Sequence, residues 1–374
     1  MKMPRKKLFL FVPSLIAGGA ERVAMLLASG FVALGHEVYL LVARDTGEFQ
    51  KACPDAVQVI DLACGKPIKG ISRLADQIQR HRPDACIAFG IQAGIAAGLS
   101  KSIHRWSAEL LIRNENNLQR EWLGAMGINR VIGPLLSRWV ARRYGLVCVS
   151  EALSQATQGY LRLSQDQVTT IINPVFADDM PAPVESGAVE LHRWLEDDGP
   201  PTFVAMGRLE HQKGFDLLLD AFGRVIQQTD ARLIVFGNGS LRQSLLDQAV
   251  ALSMADKVAF PGFTACPIEQ MRRSTAFVLS SRFEGFGLVL VEALMSGTQV
   301  VSTDCDCGPA EVLEGGRYGH LVAPEDPQAL ADGMLACIRA PAKPVPSAAW
   351  FQRFSADMAA RRHLAWLDGQ NVRE

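Results

Sequence analysis

One stretch limits what this chain can fold into. Ala276-Phe-Val-Leu-Ser-Ser281 is a short apolar run of the kind buried as a parallel strand, and after Gly285 and Gly287 an uninterrupted set of good helix formers begins at Leu288. A strand, a glycine-rich turn and a helix therefore follow one another. The two glycines let the backbone approach whatever lies at the strand's C-terminal edge, where open α/β sheets bind ligands. Glu284 sits in the turn and Glu292 one helical turn beyond Leu288, on the same face. Both carboxylates aim at the space before a helix N-terminus, which favours anions. They would repel a bare phosphate, but they suit a phosphate that belongs to a nucleotide sugar, whose hydroxyls need acceptors.

The same alternation runs through the chain. Lys7–Pro13, Val38–Val42, Val57–Leu62, Ala85–Phe89, Leu110–Arg113, Val147–Ser150 and Val168–Ile172 read as strands, with helices at Ala20–Leu34, Ile71–Arg82 and Ala93–Lys101 between the earlier ones. A segment rich in Pro, Asp, Glu and Gly follows Asn173-Pro174-Val175, and that composition predicts a linker. Beyond it, Thr202–Met206, Ile234–Phe236, Val258–Phe263 and Val300–Thr303 read as strands and Phe215–Gln227 as a helix. The last helix, Ser355–Leu367, carries a Ser N-cap and an apolar stripe of Met358, Leu364 and Leu367. The expected fold class is α/β with parallel sheets covered on both faces.

The length of 374 residues argues for two domains, and the near-balance of 38 basic and 39 acidic side chains gives no sign of a nucleic-acid protein. Eight cysteines form no C-x-x-C pair and no Cys/His metal set, so they are expected to be reduced thiols. The first twenty residues imitate a signal peptide, but Pro13 interrupts the apolar run and a glycine pair leads on into a helix, as in a first βα unit. No run reaches the eighteen or so apolar residues of a membrane span. Gly18 and Gly19 either permit a tight turn or present N–H groups to a phosphate, and the spacing alone favours neither.

Glu284 and Glu292 are separated by seven residues in E-G-F-G-L-V-L-V-E, followed by A-L-M-S-G-T. In this setting the chain resembles the retaining GT-B glycosyltransferases of group 1, which include glycogen- and sucrose-synthase-like enzymes and transferases of lipopolysaccharide and lipid-linked oligosaccharide assembly. The resemblance implies two Rossmann-like doubly wound domains facing across a cleft: residues 1–178 on the acceptor side, a linker at 179–201, a nucleotide-sugar domain at 202–345, and a C-terminal helix within 346–374 returning to the first domain. Within G-R-L-E-H-Q-K-G, Arg208 and Lys213 are then the cations that hold the donor diphosphate, as a metal-free transfer requires. Glu284 accepts from sugar hydroxyls near the reacting carbon, and Glu292 accepts from the ribose. Gly285, Phe286, Gly287 and Leu288 line the turn. Asn238 within Gly237-Asn-Gly239 walls the nucleotide, Gly262 brings backbone against the base, and Gly18 and Gly19 face the diphosphate.

The implied activity is transfer of a hexose or N-acetylhexosamine, from a UDP-sugar in preference to GDP-mannose, to a glycan or polyprenyl-linked acceptor on the cytoplasmic side of the inner membrane. No metal or other cofactor is expected. Asp304-Cys305-Asp306 imitates the metal-diphosphate motif of the other main glycosyltransferase fold, but it lies beyond the Glu pair in a chain that already has two cations for the diphosphate. Glu311 follows at a helix start, as in relatives. Two rivals are a GT-B nucleotide-sugar epimerase, which would need acid/base groups not found in the first half, and a non-catalytic nucleotide-sugar-binding subunit, which would be expected to have lost one of Arg208, Lys213, Glu284 and Glu292.

Two segments depart from a plain reading. Arg113-Asn-Glu-Asn-Asn117 carries Glu115 or Asn116 where many relatives have a histidine that contacts the sugar or acceptor, and a loop of this composition is equally a turn. Arg120–Arg143 mixes Trp122, Leu123, Met126, Ile128, Leu135, Leu136 and Trp139 with five arginines, which suits either a helix lying in an anionic membrane surface or one packed on its own domain. Pro134 marks a break or a new first turn within it.

Overall fold

The computed structural model of the 374-residue chain describes residues 4–14, 19–44, 53–177, 190–196, 199–340 and 342–370. The chain divides into two compact units, one formed by Met1–Met180 with Gln352–Glu374 and the other by Pro181–Phe351.

The first unit runs β1 (Lys7–Val12), α1 (Gly19–Ala33), β2 (Glu37–Val42), β3 (Gln58–Asp61), α2 (Ile71–His81), β4 (Ala85–Phe89), α3 (Ile91–His104), β5 (Glu109–Asn114), α4 (Leu118–Leu123), α5 (Asn129–Tyr144), β6 (Leu146–Cys148), α6 (Glu151–Leu161) and β7 (Val168–Thr170). Its seven strands lie in the order β3-β2-β1-β4-β5-β6-β7 and pair in parallel, so the chain starts at the centre and winds outward in both directions. β1 and β4 are buried along almost their whole length, which is why they read as continuous apolar runs with no alternation.

The second unit runs β8 (Thr202–Met206), α7 (Phe215–Ile226), β9 (Arg232–Phe236), α8 (Arg242–Ala251), β10 (Val258–Gly262), α9 (Pro267–Arg272), β11 (Ala276–Leu279), α10 (Leu288–Ser296), β12 (Gln299–Thr303), α11 (Pro309–Val312), β13 (His320–Val322) and α12 (Pro327–Arg339). Its parallel sheet has the order β10-β9-β8-β11-β12-β13. Strand order therefore reverses between β8 and β11, the kind of switch point at which open sheets bind ligands.

After α13 (Ala348–Gln352), the last helix, α14 (Ala356–Leu367), belongs to the first unit and packs on α1. Ser355 caps it by accepting from the Met358 N–H. The buried face is Ala356, Ala359, Ala360, His363 and Leu364, so the stripe expected from Met358, Leu364 and Leu367 is rotated. Small residues face α1 because the backbones come close: a Cβ on Gly30 would lie 2.4 Å from the Ala356 carbonyl oxygen. His363 bonds the Arg113 guanidinium, and Phe31 packs edge-on to its ring at 6.3 Å. Burial and the Arg113 charge hold this imidazole well below the usual histidine range, so it is neutral.

Pro134 does not break the arginine-rich segment. The chain instead turns between α4 and α5, and Pro134 lies inside α5, costing one backbone bond without ending the helix. Among the described residues no helix is long and apolar enough to cross a membrane.

The close approach at Gly30 makes one prediction. Gly30→Val should lower unfolding stability by about 1–3 kcal/mol, because the rigid backbone of α14 cannot yield to the added side chain. Urea denaturation of the purified variant, with an unchanged midpoint as the contrary result, checks it.

Candidate active site

The best-built group of functional side chains lies at the C-terminal edge of the second unit's sheet. After β8 the chain makes a loop through Arg208 and Lys213, and after β11 it makes another through Glu284. These loops are fastened to each other. The Arg282 N–H donates to the Gln212 carbonyl at 2.8 Å, the Gln212 amide donates to the Phe283 carbonyl at 3.0 Å, and the Ser280 hydroxyl donates to the Lys213 carbonyl at 2.8 Å. Gly214 makes the fit possible. It takes the left-handed conformation (φ +62°), and a Cβ there would lie 2.2 Å from the Ser280 carbonyl oxygen.

Within this clasp the Lys213 ammonium donates to Glu284 Oε1 at 2.5 Å, and the Ser281 hydroxyl donates to the same oxygen at 2.6 Å. The pair is mostly withdrawn from water, with 16% of the lysine and 8% of the glutamate side chain exposed. A charge in such a place must be paired. Arg208 stands on the same loop but is exposed; its guanidinium donates to Gln212 at 3.4 Å, and its charge also favours the Glu210 carboxylate. One cation is thus held by a buried carboxylate, while the other stands in solvent.

Asn238 and Gly262 also come together. Gly237 N–H donates to the Gly262 carbonyl at 2.7 Å, and the Asn238 side-chain oxygen lies 3.6 Å from where a Cβ on Gly262 would stand. The Leu209 N–H donates to the Asn238 carbonyl at 2.9 Å, which ties this wall to the Arg208 loop. Gly285, Phe286 and Gly287 are buried in the turn. Gly287 caps α10 from the left-handed region (φ +86°), Leu288 opens the helix and Glu292 is 6% exposed on its second turn. Gly19 opens α1 in the first unit, and Gly18 lies outside the described residues.

The Asp304–Cys307 segment alternates. Asp304 and Asp306 face solvent while Cys305 and Cys307 are buried. Burial pushes the Cys305 thiol up to about 12, with the Glu284 carboxylate adding to the effect, so it is an inert neighbour of the pair. Among the described residues no group of three or more His, Cys, Asp or Glu side chains is placed to hold a metal ion. In the first unit the Arg113–Asn117 loop is largely structural. Arg113 is fully buried, pairs with Glu115 at 3.2 Å, bonds Asn173 and His363, and lies 5.1 Å from the Phe89 ring centre. Asn117 caps α4 and Asn116 is exposed. Desolvation raises the Glu115 carboxyl above its usual range.

Arg282 is the residue that motif reading passed over. Its guanidinium grips Asp216 with two bonds of 2.7 Å, reaches Glu325 at 2.8 Å and donates to the His211 carbonyl at 3.0 Å. It thereby holds the start of α7, the Lys213 loop and the loop before α12 together. The separation of 66 positions between Asp216 and Arg282 leaves no local signal of the contact.

Two parallel-sheet α/β units, the second with paired lysine and glutamate, a nearby arginine and close-packed glycines at its switch point, define a GT-B protein. The family described as glycosyl transferases group 1 matches residues 190–346 and that described as glycosyltransferase family 4 matches residues 17–178. The chain belongs to the group 1 GT-B glycosyltransferases. It is 33% identical over 131 residues to a Campylobacter jejuni N-acetylgalactosamine-N,N'-diacetylbacillosaminyl-diphospho-undecaprenol 4-alpha-N-acetylgalactosaminyltransferase, covering 35% of each chain. The first three curated relatives are matched over 28%, 35% and 49% of their own length. A Rickettsia africae glycosyltransferase superposes with a TM-score of 0.76 at 17% identity, covering 98% of this chain and 99% of that one. An Anabaena protein in complex with UDP-glucose superposes with 0.72 at 19% identity, covering 98% and 96%.

The geometry predicts that Lys213→Ala lowers turnover by roughly a hundredfold or more and that Arg208→Ala does so too, the scale of losing one charge partner of a developing anion. Steady-state rates with purified variants check this. Near-native rates in both would remove these residues from the chemistry.

Proposed function

We propose that this chain is a retaining, metal-independent glycosyltransferase that moves a hexose or N-acetylhexosamine from a UDP-sugar to a glycan or lipid-linked acceptor in surface polysaccharide or glycolipid assembly. The observation that carries the reading is the buried Lys213–Glu284 pair on the same loop system as the exposed Arg208 cation. Departure of a nucleoside diphosphate develops negative charge on phosphate oxygens, and cations at a half-dry site stabilise it, the one already held in place without reorganisation. Lys213 and Arg208 take that task. Glu284 keeps the lysine in place and offers its carboxylate to sugar hydroxyls near the reacting carbon. Glu292 is assigned to the ribose hydroxyls, and Asn238 and Gly262 to the nucleotide wall. Retention follows if the acceptor oxygen attacks C1 on the face from which the diphosphate leaves, with the acceptor proton passing to a departing phosphate oxygen.

The UDP preference draws on the Anabaena neighbour solved with UDP-glucose, and the lipid-linked acceptor on the diphospho-undecaprenol named for the Campylobacter relative. The same acceptor chemistry leads us to place the chain as a peripheral protein on the cytoplasmic face of the inner membrane.

Activity should persist in excess chelator, and the new glycosidic bond should have the donor's anomeric configuration by NMR. Strict dependence on added Mg or Mn would contradict the first statement, and an inverted product the second.

A further inference from the structure

Half of the exposed large hydrophobics among the described residues, six of twelve, fall between Leu123 and Leu135. Met126 is 86% exposed and Ile128 70%, at the turn between α4 and α5, and Val131, Ile132 and Leu135 continue onto the outer side of α5. One further turn along, that same side of the helix becomes basic. Arg138, Arg142 and Arg143 together with Leu135 and Trp139 line a depression of about 580 Å³. The Arg138 Nε is buried there without a hydrogen-bond partner among the described residues. The opposite side of α5, Gly133, Ser137, Val140 and Ala141, is buried against its own unit.

Arg130 aside, which is exposed at the tip between Ile128 and Val131, the exposed apolar groups therefore precede the charged ones along the helix axis and are not segregated around it. A helix lying flat in a membrane surface sorts them around it. Val131 and Arg142 are separated by about 16 Å of helix, which exceeds the roughly 5–10 Å by which interfacial apolar groups enter the headgroup boundary. An axial arrangement of this size fits a helix standing at an incline, with its apolar tip immersed and its basic end level with the lipid phosphates. Charge decides between a membrane and a second protein as occupant. Arg120, Arg130, Arg138, Arg142 and Arg143 face a single acidic residue in the segment, Glu121, and that carboxylate accepts from Gln92.

We propose that the α4–α5 turn is a membrane-insertion tip and that the Arg138–Arg142–Arg143 depression is a site for the phosphate of an anionic lipid headgroup. This deepens, and rests on, the peripheral placement proposed above. Immersed Met126, Ile128 and Val131 supply apolar attachment, and the arginines supply preference for anionic lipid.

Co-sedimentation of the full chain with phosphatidylcholine vesicles, with and without about 30% phosphatidylglycerol, tests it. The expected result is binding to the anionic vesicles at least about tenfold tighter than to neutral ones, weakening as salt is raised. Met126→Asp with Ile128→Asp should abolish binding to both vesicle types. Arg138→Gln with Arg142→Gln and Arg143→Gln should remove the preference for anionic lipid and spare the residual neutral binding. Failure of the wild-type chain to bind anionic vesicles overturns the proposal, as does indifference to either set of substitutions. A dimer in sedimentation equilibrium that the aspartate variant splits would overturn it in favour of a self-association surface. UDP binding measured on the same samples separates this from the transferase reading: lost vesicle binding with intact UDP binding rejects the tip alone.

Discussion

The Lys213–Glu284 contact is the interaction on which the second unit's site depends. Placing an ammonium group where only a sixth of its side chain meets water is costly unless an anion is already there, and placing a carboxylate deeper still is costly without a cation. Each residue makes the other's position tenable. Neither loop could hold its charge alone, so the hydrogen bonds donated by the Gln212 and Ser280 side chains and by the Arg282 backbone, which fasten the loops, are as much part of the site as the charges. The arrangement also suits charge stabilisation during reaction. A cation oriented by a fixed carboxylate need not be reoriented when charge appears on a leaving group.

Bringing loops this close requires bare backbone at particular points. A Cβ on Gly308 would fall 2.1 Å from the Phe286 carbonyl oxygen, and Gly308 also has a positive φ of +94°. Gly214 answers the same need on the other side of the clasp. Gly214 and Gly308 thus stand where strand ends converge, which is why a glycine-rich turn after an apolar run carried so much information.

Two apolar runs were legible residue for residue: Ala85–Phe89 and Thr202–Met206 are strands with the bounds their composition suggests, because a strand buried on both faces carries apolar and β-branched residues with no charged residue to interrupt it. The group 1 GT-B family was legible from the Glu pair in its glycine setting, because that setting is a local pattern. β13 was missed because it is three residues long, half-buried and begins with a histidine. The burial of Arg113 was equally hidden, since an arginine before an Asn-rich loop looks solvated until Asn173 and His363 arrive from 60 and 250 residues away. Contacts across such separations leave no periodicity in the chain. The apolar stripe of α14 was misplaced for a related reason: that face is chosen by the small residues that fit against Gly30, not by the largest hydrophobics.

The most direct measurement of the central claim is a calorimetric titration of UDP, in chelator, into the wild-type chain and into Lys213→Ala. If the paired lysine is a diphosphate holder, UDP binds the wild type and binds the variant at least about tenfold more weakly, the scale of a lost charge-assisted bond. Equal affinity for the two proteins, or no UDP binding by a folded wild type, would contradict the account.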